Sequence, residues 1–166
     1  MLQTMTMDSP TGTLTLTATD TGLRSVMWPV MKSGRVVVPE PTPDADANGV
    51  LVETRRQLRL YFDGETPTFD LPLDPQGTDL QQTVWLMLGQ IPIGETWTYG
   101  QLAASIGRPS AVRAVANAVG RNPIGIIIPC HRVIGSNGSL TGFAGGIETK
   151  RWLLDHEQNR SRLPLG

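Results

Sequence analysis

Three isoleucines, Ile126 to Ile128, run into Pro129, and Cys130 and His131 follow at once. An apolar run of that kind must be buried, and a proline stops any strand ladder it joins. Cys130 is therefore expected at the exit of a buried strand or of a tight core segment, held by packing. It is the only cysteine in the chain, and His131 is one of only two histidines. A lone cysteine is most often a small buried hydrophobe. An adjacent imidazole changes that reading, because the thiolate is the nucleophile and a neighbouring base promotes it. The run Pro129-Cys130-His131-Arg132-Val133 thus favours a reactive thiol over a structural one.

The chain has 166 residues and an ordinary apolar share, so a packed core is expected in one larger domain or two small ones. Net charge is −1, but it is unevenly placed. Residues 1–75 carry six Lys and Arg against ten Asp and Glu, and residues 76–166 carry eight against five. No acidic residue falls between Thr96 and Ile147, whereas Arg108, Arg113, Arg121 and Arg132 do. That bias fits an anionic partner, with four solvated surface arginines as the plainer alternative. One cysteine cannot form an internal disulfide, and no signal peptide or membrane span is visible. A free thiol then points to a reducing cytoplasm. One cysteine and two histidines make no zinc pattern, so no metal site is expected.

The first half reads as a small α+β layer. Thr13 to Thr19 alternates as a half-buried strand, Leu23 to Trp28 is its hairpin partner, and Arg35 to Val38 is a third strand. Val50 to Phe62 is expected as a helix with Leu51, Leu58 and Phe62 on one face, and Phe69 to Leu73 as a further short strand. Leu73 to Gly77 is the expected linker between a domain of residues 1–75 and one of residues 76–166.

The second half is mostly helical. Thr78 with Gln81, and Thr98 with Gln101, are capping-box signatures. The second opens a short helix stopped by Gly107. After Arg108-Pro109, Ser110 is the expected N-cap of a helix that packs Val112, Val115, Ala116 and Val119 and shows Arg113, Asn117, Gly120 and Arg121 outward. Two short helices joined by a tight turn form a helix-turn-helix pattern. Its alanines, Ala111 and Ala114 among them, keep the second helix slim enough to approach a groove. The same pattern also occurs as plain packing. The acid-free zone around it favours DNA contact.

Beyond the cysteine, Gly135 to Gly138 is a turn, and Thr141 to Gly146 is dense in glycine, permitting close backbone approach to a flat ligand. A last helix runs from about Glu148 to Asn159, with Trp152, Leu153 and His156 on its apolar-leaning face. Glu157 follows Leu153 by four and Leu154 by three, so it can point inward, where a carboxylate needs a partner. His131 is a candidate partner, and a solvated Glu157 is the alternative.

Cysteine, histidine and carboxylate compose a nucleophile, a base and an orienting group. Alone they would suit an acyl hydrolase, and a DNA-binding regulator with an inert thiol is a further alternative. Joined to a nucleic-acid module, they favour chemistry on a base. At these residues the chain resembles the O6-alkylguanine-DNA alkyltransferases (methylated-DNA–protein-cysteine methyltransferases). The resemblance is carried by residues 129–133, by Gly94 to Gly100, by Ala111 to Val115, by Arg121-Asn122-Pro123 and by Gly142 to Gly146.

The resemblance implies an α+β fold: a small N-terminal α/β, ribonuclease-H-like domain, then a mostly helical, winged-helix-like C-terminal domain with the helix-turn-helix. It implies that double-stranded DNA carrying O6-alkylguanine, and O4-alkylthymine as well, is the partner. The damaged nucleotide is flipped out and its alkyl group passes irreversibly to Cys130. His131 would take the thiol proton through a water, Glu157 would orient His131, and Asn122 would bond near the thiol. Tyr99 would donate to the guanine ring. Arg113 would enter the duplex, with Ala111, Ala114, Asn117 and Ser136 as further DNA contacts. Val119, Val133, Phe143, Ala144 and Gly145 would line the pocket. Phe143 and Ala144 stand where the family usually carries tyrosine and serine, so donation to O6 would rest on backbone N–H groups and Tyr99. The expected protein is a cytoplasmic monomer, with cooperative assembly on DNA left open, and it needs no cofactor.

Overall fold

A computed structural model describes residues 2–32, 35–37, 40–43, 45–65, 68–140, 143 and 145–162. The chain divides into two compact units, Met1–Gln76 and Gly77–Gly166.

In the first unit, β1 (Gln3–Met7), β2 (Leu14–Ala18) and β3 (Leu23–Met27) form an antiparallel sheet in that order. Leu14, Leu16 and Ala18 are fully buried, as the period-two pattern demands. Separately, β4 (Val30–Lys32) pairs antiparallel with β5 (Arg35–Val37). The strand expected at 35 to 38 is present over Arg35–Val37 in its own ribbon, and Val38 lies outside the described residues. The expected strand at Phe69 to Leu73 is reduced to one parallel bridge, Leu73 to Leu23. Pro72 and Asp74 exchange backbone hydrogen bonds with Leu23 there. A Cβ at Gly22 would stand 2.6 Å from the Pro72 carbonyl oxygen, so only glycine admits this approach. α1 (Gly49–Phe62) is capped by Asn48. It buries Leu51, Thr54, Gln57, Leu58 and Tyr61; Tyr61, not Phe62, completes the inner face.

In the second unit, α2 (Asp79–Leu88) and α3 (Tyr99–Ser105) each begin with the expected capping box, on Thr78 with Gln81 and on Thr98 with Gln101. β6 (Trp97–Thr98) precedes α3 directly, and Gly107 (φ +73°) turns the chain beyond it. α4 (Val112–Gly120) follows, with Ala111 as N-cap and no side-chain cap; Ser110 does not fill that role. It buries Val115, Ala118 and Val119. The Trp85 indole N–H of α2 donates to the Ala118 carbonyl at 2.9 Å and fixes the end of α4. β7 (Val133–Ile134) pairs in parallel with β6, and α5 spans Ile147–Arg162. α5 buries Lys150, Leu153, Leu154 and Glu157, whereas Trp152 and His156 stack on each other, half-buried. No helix among the described residues is long and apolar enough to cross a membrane.

Candidate active site

The segment between α4 and Cys130 is not a strand. It is the tight core segment, folded around the Asn122 side chain. Asn122 Nδ2 donates to the carbonyls of Ile124 (3.3 Å) and Ile128 (2.9 Å), and its Oδ1 accepts from the Ile124 N–H (3.0 Å). Ile126 sits at φ +69°, a conformation rare for a β-branched residue, with its side chain buried. Burial of Ile124, Ile126 and Ile128, together with the Asn122 bonds, holds this backbone. Pro129 then caps a single 3-10 turn, Cys130–Arg132, which leads into β7. The apolar run thus sets the cysteine by side-chain packing and amide bonding, with no ladder to pair it.

Cys130 is 7% exposed. Burial pushes its thiol pKa up, while hydrogen bonding from the Asn122 side chain and the charge of Lys150 offset part of that rise. The group therefore rests as a thiol at neutral pH and needs a base.

His131 is fully buried, and its Nε2 lies 2.7 Å from Glu157 Oε2. An ionised carboxylate only accepts, so Nε2 carries the proton and Nδ1 carries the lone pair. Nδ1 is buried with no hydrogen-bond partner among the described residues. It is the nitrogen open to take a proton. Burial lowers the pKa of His131 and Glu157 raises it in part, with Arg132 and Lys150 opposing. Burial alone would raise Glu157, but His131 and Arg132 outweigh it and hold the carboxyl well below the usual carboxylate range.

Sequence reasoning misplaced Arg132 among the cations facing an anionic partner. It is buried. Its Nε donates to Glu157 Oε1 at 2.8 Å, Nη2 to Oε2 at 3.1 Å and Nη1 to the Ile91 carbonyl at 2.7 Å. It also missed Lys150, 1% exposed, whose Nζ donates to the Val133 carbonyl at 2.6 Å and stands 6.0 Å from the Tyr99 ring centroid. Burial lowers the Lys150 pKa, and Cys130 opposes that shift. The available signal was spacing: Lys150 precedes Glu157 by seven, so two turns of α5 carry both inward.

Tyr99 is half-buried at the start of α3. Arg113, Ala114 and Asn117 are exposed together on α4, Ala111 is half-buried at its start, and Ser136 is exposed in the turn after β7. Val119 and Val133 are buried, and Phe143 and Gly145 are half-buried. Ala144, Thr141 and Gly142 lie outside the described residues. An open depression of about 710 Å³ lies against Ser139, Arg151 and Asp155, and among the described residues its lining includes none of Val119, Val133, Phe143 and Gly145.

The profile of the 6-O-methylguanine DNA methyltransferase DNA binding domain matches residues 79–159, and that of the family's ribonuclease-like domain matches residues 2–75. A methylated-DNA–protein-cysteine methyltransferase of Methanosarcina barkeri is 46% identical over 93% of this chain and 96% of its own. One from Mycobacterium bovis is 48% identical over 99% of this chain and 98% of its own. The crystal structure of the Mycobacterium tuberculosis O6-methylguanine methyltransferase superposes with a TM-score of 0.81 at 44% identity, covering 100% of this chain and 97% of that one. The structure of the M. tuberculosis protein in complex with DNA gives 0.79 at 46% identity, covering 93% and 92%. A two-unit α+β protein with a buried thiol, imidazole and carboxylate on a helix-turn-helix unit is what this fold and site define. The chain belongs to the methylated-DNA–protein-cysteine methyltransferase family.

Proposed function

We propose that this protein repairs DNA by moving the alkyl group of O6-alkylguanine, and of O4-alkylthymine, onto its own Cys130. The observation that carries the reading is the buried Cys130–His131–Glu157 arrangement, with the one uncommitted imidazole nitrogen next in sequence to a protonated thiol. The relatives named for the same transfer support it.

The target carbon lies inside a stacked duplex, so the nucleotide must be everted, at a cost of a few kcal/mol. Arg113, exposed on α4, fills the gap it leaves, and Ala111, Ala114, Asn117 and Ser136 contact the backbone and groove. The purine stands against Val119, Val133, Phe143, Ala144 and Gly145. His131 Nδ1 takes the Cys130 proton through a water. The sulfur attacks the alkyl carbon as the carbon–oxygen bond breaks, and the electron pair leaves with guanine. The Tyr99 hydroxyl donates a hydrogen bond to the purine as negative charge builds there, which makes it a better leaving group. The products are a Cys130 thioether and restored guanine. A thioether has no ready exit, so each molecule reacts once. The protein acts as a cytoplasmic monomer.

Incubation with free O6-benzylguanine, followed by intact-mass measurement, tests this. One benzyl adduct on the wild type and none on Cys130→Ser is expected. Unmodified wild-type protein would exclude the reading, and hydrolysis of esters or amides with turnover would favour the acyl hydrolase instead.

A further inference from the structure

Arg132 is, among the described residues, the one buried arginine, and the reaction described above assigns it no task. It holds both oxygens of Glu157, and on Oε2 it competes directly with His131, at 3.1 Å against 2.7 Å. Its third contact, on the Ile91 carbonyl, fixes the guanidinium so that it cannot turn away. Arginine cannot be deprotonated in a protein.

We propose that Arg132 is a positioning residue whose double grip on Glu157 balances that carboxylate's charge, so that His131 meets the thiol as a neutral base. The inference rests on the alkyl-transfer reading of the same site and deepens it. A buried carboxylate facing an imidazole by itself draws a proton onto the ring. A ring already protonated cannot accept the proton of Cys130. The charged and titratable groups around His131 are Glu157 and Lys150 from α5, Cys130 and Arg132 from its own turn, and Tyr99 of α3 beside Lys150. Glu157 supplies one negative charge and Arg132 cancels it. Lys150, when charged, adds a positive one. Protonating His131 from solvent would add a further positive charge in a buried site, where such charges are little screened. Taking the proton from Cys130 leaves the net charge of the cluster unchanged. The arrangement therefore permits the internal proton transfer and opposes the external one. Glu157 still fixes the ring and the tautomer through Oε2.

The test uses full-length protein with 15N-labelled histidine, in which only two rings report. Nitrogen shifts of His131 are followed against pH in the wild type, Arg132→Met and Arg132→Lys, with the rate of benzyl transfer from free O6-benzylguanine measured over the same range. In the wild type, His131 should be neutral at pH 7 with its proton on Nε2. In Arg132→Met, its midpoint and the acid limb of the rate should both move up, with about a tenfold loss at pH 6 relative to that variant's own plateau. Arg132→Lys should restore the wild-type midpoint. An Arg132→Met variant that folds, reacts more slowly at every pH and keeps the wild-type midpoint would make Arg132 a staple of the fold and overturn the proposal. So would an imidazolium at pH 7 in the wild type, a result that stands even if Arg132→Met does not fold. Absence of any Cys130 adduct in the wild type would sink the alkyl-transfer reading and leave the ring titration to be read independently.

Discussion

Glu157 Oε2 lies 2.7 Å from His131 Nε2, and neither side chain is more than 1% exposed. Both partners are held: His131 by a single 3-10 turn, Glu157 by α5 and by Arg132. Glu157→Gln should therefore act on two levels. Arg132 loses its counter-charge in a buried site, a change worth about 3 to 5 kcal/mol by analogy with broken buried pairs. The imidazole loses its orienting acceptor, and alkyl transfer should slow by about 10²-fold. Urea unfolding and single-turnover rates measure the two effects.

Asn122 satisfies two carbonyls and one N–H of the segment that leads into the thiol's turn. Asn122→Ala strands those buried groups, at about 1 to 3 kcal/mol for each one left unpaired. It also removes hydrogen bonding that lowers the Cys130 pKa. The variant should be less stable, and its thiol should react more slowly with iodoacetamide at pH 8 than the wild-type thiol does.

Arg113 is exposed, so its removal should leave the fold within about 0.5 kcal/mol of wild type. Arg113→Ala should slow transfer from methylated duplex at least tenfold, yet leave transfer from free O6-benzylguanine unchanged. Equal loss on both substrates would place the arginine in the chemistry and not in base eversion.

The protonation of His131 also sets a pH dependence of stability. Its folded pKa is lowered from 6.5 chiefly by burial, so the unfolded chain binds the proton more readily. Stability is then full above 6.5 and declines as pH falls below it towards the folded value. Glu157, with its folded pKa also depressed, adds a second loss at lower pH, below the ordinary carboxylate range. Denaturant midpoints between pH 8 and pH 5 should show the first decline, and His131→Gln should flatten it.

Much of the site was legible because its parts carry local signatures. The Pro-Cys-His run, the two capping boxes and the inward spacing of Glu157 each announce a local geometry, and the structure has the capping boxes and the His131–Glu157 contact as expected. What escaped was set by distant contacts. Arg132 reads as one more solvated cation until α5 brings Glu157 to it and Ile91 offers its carbonyl. The isoleucines left a strand and a tight core segment both open, and the three Asn122 side-chain bonds decide for the second, with Ile126 at positive φ. In the first unit, β1 (Gln3–Met7) escaped because its alternation is short, only Met5 and Met7 between threonines, and it is fixed by pairing with β2.

Cys130 as the acceptor is open to mass spectrometry of the protein after incubation with a duplex containing one O6-methylguanine. A gain of one methyl group per molecule is expected, mapped to the peptide bearing Cys130, with no further reaction when fresh duplex is added. A methyl group on another residue, or repeated repair by unmodified protein, would contradict it.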